Sequence, residues 1–116
     1  MGTRELGRFG EEEAAKYLRR HGYRIVETNY SCRFGEIDLI AETKDCVVFV
    51  EVKSRRDAHF AQAREFVTAA KQRRLTATAG LWLAQNPTDK QPRFDVVEVY
   101  CENGIVHSIQ HIENAF

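Results

Sequence analysis

GEIDLIAETKDCVVFVEVKSR, residues 35–55, holds the pattern on which the fold turns. Two runs within it, GEIDLIAET and CVVFVEVKS, have strand composition, and Lys44-Asp45 between them predicts a tight turn, hence an antiparallel hairpin. The stretch VVFVEVKSR, Val47 to Arg55, reads as a buried strand until Glu51 and Lys53 interrupt it. Residues i and i+2 of a strand share a face, so Glu51 and Lys53 project together, as do Glu36 and Asp38 on the first strand. If the turn pairs Glu42 with Val47, Asp38 falls directly opposite Glu51, with Cβ atoms ~5 Å apart. Like charges so placed repel, and something positive must compensate: Lys53 or a divalent cation. Ile37, Leu39, Val48, Val50 and Val52 are assigned to the core.

Before the hairpin, a helix is predicted from near Thr3 to about His21, ended by Gly22. It carries three consecutive glutamates. Glu11 shares the apolar stripe of Ala14, Ala15 and Leu18 and should be drawn towards the sheet, whereas Glu12 and Glu13 sit near Lys16, Arg19 and Arg20 as surface ion pairs. A core-facing glutamate is costly unless it is paired or binds a metal. A short strand in YRIVETN and a turn through Ser31 to Phe34 lead into the hairpin. After it, a loop from Arg56 to Ala61 precedes a second helix, Gln62 to Ala84, whose apolar positions Ala63, Val67, Ala70, Ala77, Leu81 and Ala84 keep helical spacing. Leu75 and Trp82, seven residues apart, should pack. NPTDKQP is a loop, and RFDVVEVY with IVHSIQHI forms a hairpin turned at Asn103-Gly104. The order α-β-β-β-α-β-β implies an α/β fold with a mixed central sheet and helices packed on it.

Glu11, Asp38 and Glu51 against Lys53 leave net negative charge that a structural salt bridge does not explain. Mg²⁺ or Mn²⁺ does, since a hard cation takes a few carboxylates, keeps waters and needs no histidine. The 116 residues suit one domain, 1–116. No run approaches the roughly 18 apolar residues of a spanning helix, and the N-terminus has no apolar signal core, so the expectation is no membrane. Three widely spaced cysteines without a CxxC pair suit free thiols in a reducing cytoplasm. Zero net charge counts against nucleic-acid binding by bulk electrostatics, but residues 53–74 hold seven Lys/Arg against Asp57 and Glu65. Lys53, Arg55 and Arg56 leave the strand beside the acids, and Arg64, Lys71 and Arg74 fall on one flank of the second helix. Such residues hold phosphates without reading sequence. Arg73 is assigned to a solvated face, which is the competing reading for Arg64 as well.

Asp38 followed by Glu51-Val52-Lys53 resembles the D…ExK core of the PD-(D/E)xK nuclease superfamily, and the hairpin with its preceding helix resembles that superfamily's restriction-endonuclease-like α-β-β-β-α-β core. More closely, Gly10-Glu11, GEIDLI at Gly35 to Ile40, VFVEVKSR at Val48 to Arg55 and RFDVV at Arg93 to Val97 resemble the YraN-like family of small bacterial proteins, itself similar to archaeal Holliday junction resolvases. The resemblance spans nearly the whole chain. It implies a metal-dependent endonuclease acting on structured or branched DNA, with Asp38, Glu51 and the Val52 backbone carbonyl as ligands of Mg²⁺ or Mn²⁺. Lys53 would orient or help activate the attacking water, and Glu11 would match the helix carboxylate that several such nucleases add. Ile37 stands where the superfamily often has proline, and Ala61 where the YraN-like pattern has glycine. Resolvase-like relatives act as dimers, which makes a homodimer an expectation.

Weaker signals remain. His107 and His111 with Cys101 superficially suggest zinc, but strand spacing separates them and a fourth ligand is missing, so they are read as surface or edge histidines. Asp95 is open to two readings, approach to the site or capping of a neighbouring backbone group. IVHSIQHI is a candidate edge strand. Two readings compete with the nuclease: a non-catalytic nucleic-acid-binding protein that retains the fold, and an interaction protein whose charges are structural.

Overall fold

The computed structural model describes residues 1–56 and 67–116. Its elements are α1 (Thr3–Arg20), β1 (Arg24–Cys32), β2 (Gly35–Glu42), β3 (Cys46–Arg55), α2 (Ala69–Gln85), β4 (Gln91–Glu102) and β5 (Ile105–Ile112). The five strands form one sheet in the order β1-β2-β3-β4-β5. β3 and β4 are parallel and the other neighbours antiparallel, so the sheet is mixed and compatible with an α-β-β-β-α-β core. A parallel pair needs a crossover, which α2 provides between β3 and β4.

Both faces of the central strands are covered, because successive side chains alternate between them. Val48, Val50, Leu39, Val97 and Val99 pack with Ala14, Ala15 and Leu18 of α1. Val47, Phe49, Ile40 and Val96 pack with Leu75, Ala79 and Trp82 of α2 on the opposite face. Each fully buried aliphatic or aromatic side chain contributes about 1.5–3 kcal/mol. This alternation explains the double apolar register of CVVFVEVKS and assigns Glu51 to the α2 face, in step with Val47 and Phe49.

The predicted turns hold. Thr43 N–H donates to the Cys46 carbonyl at 2.9 Å around Lys44-Asp45, and Glu42 pairs with Val47. Asn103 and Gly104 both have positive φ, 54° and 75°, as the tight β4–β5 turn demands. α1 ends one residue earlier than expected, with Gly22 at φ 87° just beyond. The β1 strand runs past the expected turn start, to Cys32.

The second helix departs further from the sequence reading. Its expected beginning, Gln62 and Ala63, lies outside the described residues, as do Arg64 and Ala61. The described helix starts after Thr68, whose hydroxyl accepts the Lys71 N–H at 3.2 Å as an N-cap. Its buried residues are Leu75, Thr78, Ala79 and Trp82, while Ala70 and Ala84 are exposed. An alanine-rich helix has little amphipathic contrast, so the two large side chains, rather than alanine spacing, choose the face. Among the described residues, no helix is long and apolar enough to cross a membrane.

Candidate carboxylate and lysine site

The β2–β3 ladder runs from Glu42↔Val47 to Leu39↔Val50. One step further Asp38 and Glu51 would be partners, as the register predicts, but there a side chain replaces the main-chain pairing. The Val52 N–H donates to Asp38 Oδ2 at 2.8 Å. The acids therefore stand where the hairpin opens, beneath the first turns of α2. Gly35, Glu36, Asp38, Glu51, Lys71, Arg74 and Leu75 line a cleft of about 290 Å³ there.

Glu11 approaches from α1 because α1 lies unusually close to β3. A Cβ added to Gly10 would lie 1.7 Å from Ser54 Oγ and 2.9 Å from Ser54 Cβ, so only glycine permits this packing. Glu11 is then near enough to Glu36 and Glu51 for their charges to be felt. Asn29, with its amide nitrogen turned towards them, donates to Glu11 Oε1 at 2.9 Å and to Glu36 Oε1 at 3.2 Å. Its φ of 51° is a conformation that asparagine tolerates better than most residues. Glu12 is exposed and Glu13 pairs with Lys16 at 3.4 Å, as expected of the surface glutamates.

The electrostatics are unresolved in favour of negative charge. Burial, the Glu51 carboxylate and then Glu11 and Glu36 push Asp38 up to about 7, against the opposing Val52 N–H. Glu11 is raised chiefly by burial, with Asn29 opposing and Glu36 and Glu51 reinforcing. Lys71 Nζ donates to Glu51 Oε1 at 2.8 Å. Burial alone would depress the Lys71 ammonium, but Glu51 reverses this and the net direction is up. Lys53 moves the other way: burial lowers it first, and the neighbouring Lys71 charge lowers it further.

The expected basic residues divide. Arg74 borders the cleft. Lys71 faces the acids directly. Arg55 Nε lies 3.4 Å from Oε1 of the fully buried Glu98, and Arg56 donates to the Met1 carbonyl, so both have protein partners. Arg73 is exposed, as read from the sequence. Two participants were not assigned to the site beforehand. Glu36 had its signal, two residues from Asp38 on one strand. Asn29 had no sequence signal tying it to Glu11.

Asp95 belongs to a separate cluster on the α1 face. It accepts from Arg93 Nε and Nη2 at 2.9 and 2.8 Å and from the Asn114 N–H at 3.0 Å. His111 Nε2 lies 2.7 Å from Asp95 Oδ2, and a carboxylate can only accept, so that nitrogen carries the hydrogen. Of the two readings of His111, surface or edge, the edge position holds, since β5 ends the sheet, and the surface one is corrected: its side chain is only 7% exposed, with edge-on contacts to Tyr17 and Tyr23. Strand position alone misled, because the inner face of an edge strand still packs. His107 is exposed beside Glu102.

Among the described residues, no three His, Cys, Asp or Glu side chains are grouped to share one ion. A hard cation asks less, one or two carboxylates with the remaining positions filled by water. Asp38, raised by burial and by the Glu51 carboxylate beside it, fits that requirement together with Glu51, with Glu11 and Glu36 adding field from nearby.

The profile described as "Uncharacterised protein family UPF0102" matches residues 10–99. A UPF0102 protein of Syntrophomonas wolfei is 47% identical over 115 residues, covering 98% of this chain and 99% of that protein. A UPF0102 protein of Pelobacter propionicus is 45% identical over 117 residues, covering 98% of this chain and 84% of the relative. One from Symbiobacterium thermophilum is 51% identical over 98 residues, covering 84% and 83%.

Proposed function

We propose that this chain, which belongs to the UPF0102 family, is a metal-dependent phosphodiester hydrolase acting on structured DNA, a reading that rests on the site's geometry. One observation carries the reading: Asp38 from β2, Glu51 and Lys53 from β3 and Glu11 from α1 meet where the hairpin opens, with the Asp38 carboxyl pushed to about 7. Two elements would suffice for a structural ion pair. Two carboxylates, Asp38 and Glu51, beside an accessible cleft and in the added field of Glu11 and Glu36, are better suited to holding Mg²⁺ or Mn²⁺ with water completing the shell.

In this reading Asp38 and Glu51 hold the ion, with the Val52 carbonyl available beside them. Bound there, the ion would supply Lewis-acid stabilisation of a phosphodiester and a more acidic water. Lys53, its ammonium lowered by burial and by the neighbouring Lys71 charge, is suited to orient or help activate that water. Glu11 and Glu36 set the negative potential of the site. Arg74 at the cleft rim contributes a phosphate contact, which holds a nucleic-acid backbone without reading its sequence. Neutral net charge implies binding that is weak or assisted by a second copy or partner.

Lys53→Ala with the fold retained should abolish Mg²⁺- or Mn²⁺-dependent nicking of duplex, flap or four-way-junction DNA. Undiminished nicking by this variant would refute the assignment. Binding of the same DNAs without cleavage under any metal condition would leave the non-catalytic reading in its place.

A further inference from the structure

We propose that Lys71 is a tethered stand-in cation: it holds Glu51 until a divalent ion binds the carboxylate pair, then releases that oxygen and transfers its ammonium to a phosphate of the nucleic acid. This rests on the reading of Asp38 and Glu51 as the metal-holding pair. It moves Lys71 from a passive phosphate track into the site itself.

Four observations support it. The Lys71 ammonium is 2.8 Å from Glu51 Oε1, on the carboxylate that the ion would need. Lys71 shares the acids with a second lysine, Lys53, so the arrival of two further positive charges favours expulsion of one ammonium. Lys71 is the one suited to leave. It lines the open cleft with Arg74, its side chain is 27% exposed, and its four-carbon stem can swing while the backbone stays fixed by the Thr68 cap. Finally, Lys71 lies in the first turn of α2, which contains no acidic residue. The positive end of the helix dipole disfavours an ammonium there and favours an anion, so once released from Glu51 the side chain and the helix end together attract a phosphate.

The scheme couples two ligands. Metal binding must displace Lys71, so the ion binds less tightly than it would to the bare pair. A phosphate that captures Lys71 relieves that competition, so nucleic acid and metal strengthen each other's binding reciprocally.

The test is calorimetric titration of Mn²⁺ alone into the wild type and into Lys71→Met, which removes the charge and keeps the stem. The variant should bind Mn²⁺ about tenfold more tightly, the scale of losing one charge-assisted competitor. A structural role predicts the opposite sign, since loosening the site weakens metal binding. If the wild type binds and the variant binds equally or less tightly, this proposal falls and the metal reading stands. If neither protein binds Mn²⁺, both fall. A measurement needing no substitution follows the ε-methylene resonances of Lys71 in lysine-labelled wild type during Mg²⁺ addition. They should move towards their positions in Glu51→Gln, where the pair is already broken; resonances that stay in place as the ion saturates overturn the proposal.

Discussion

Asp38 and Asp95 are withdrawn from solvent on opposite faces of one sheet, and their pKa values move in opposite directions. Burial raises both. At Asp95 it is outweighed by His111, Arg93 and the Asn114 N–H, and the carboxyl ends below its ordinary value. At Asp38 one backbone N–H opposes burial and neighbouring carboxylates, and the carboxyl ends at about 7. The first cluster is satisfied and joins β4, β5 and the α1–β1 turn, since Arg93 also donates to the Tyr23 hydroxyl at 2.7 Å. The second is left short of positive charge. A fold that supplies Asp95 with three partners but Asp38 with so few treats them differently, and the frustrated site is where a ligand has something to gain.

Breaking the satisfied cluster should have the largest effect. Asp95→Ala leaves Arg93 and His111 without their buried acceptor and should cost about 3–5 kcal/mol in urea denaturation at pH 7. Mn²⁺ binding by the folded fraction should persist, because Asp95 lies on the other face. Equal loss of both would merge the two clusters into one functional unit and defeat the comparison.

Gly10→Ala is next. The added methyl meets Ser54 at 1.7 Å, so α1 must lift from β3. Overpacking of this kind costs about 1–3 kcal/mol. Glu11 moves with the helix, so metal affinity should fall as well. The second substitution Ser54→Gly removes both clashing atoms and should restore part of each. No recovery in the double variant would show that Gly10 matters for some reason other than this contact.

How far these clusters could be read from sequence follows from the range of their interactions. The Asp38–Glu51 opposition was legible because a tight turn and a two-residue period propagate register rigidly over four pairs. Glu11 was legible through helical spacing, and Gly10 beside it has a steric reason. The Asp95 cluster was not legible: Arg93 is two residues away, but His111, Asn114 and Tyr23 come from elements whose meeting depends on the whole sheet. The Lys71–Glu51 contact likewise depends on how far α2 is turned over the sheet. The sequence reading had Leu75 and Trp82 packing, as they do, but its alanine positions Ala70 and Ala84 are exposed and blurred that rotation.

Asp38→Asn sharpens the contrast with a smaller effect of opposite sign. Asparagine keeps an acceptor for the Val52 N–H and removes the repelled charge. A carboxyl whose folded pKa is raised favours folding below its ordinary value and loses that contribution as pH rises through the folded value. In the wild type this loss should fall between about pH 4 and pH 7, following the elevation from 3.8 to about 7. Asp38→Asn should therefore be more stable than wild type by about 1–2 kcal/mol at pH 8, with the advantage vanishing near pH 4. It should also lose Mn²⁺ binding. Lower stability at pH 8 would mean that Asp38 is compensated after all. Asp95 supplies the control, since its depressed carboxyl contributes above its ordinary value and the contribution is lost as pH falls.

The smallest effect concerns Asn29, a neutral residue that tempers Glu11. Its amide lowers the pKa of Glu11 while burial and the other carboxylates raise it. Asn29→Gly keeps the positive φ and removes only the amide. Glu11 should then rise further, and the added instability should appear as pH increases through the Glu11 folded value, because a raised carboxyl favours folding only while protonated. Glu11 is substantially solvated, so screening limits the loss to about 0.5 kcal/mol at pH 7, with none near pH 4. Comparison of urea midpoints at the two pH values measures it. A loss equal at both would place the contribution of Asn29 in the β1 backbone instead of in the charge balance of the site.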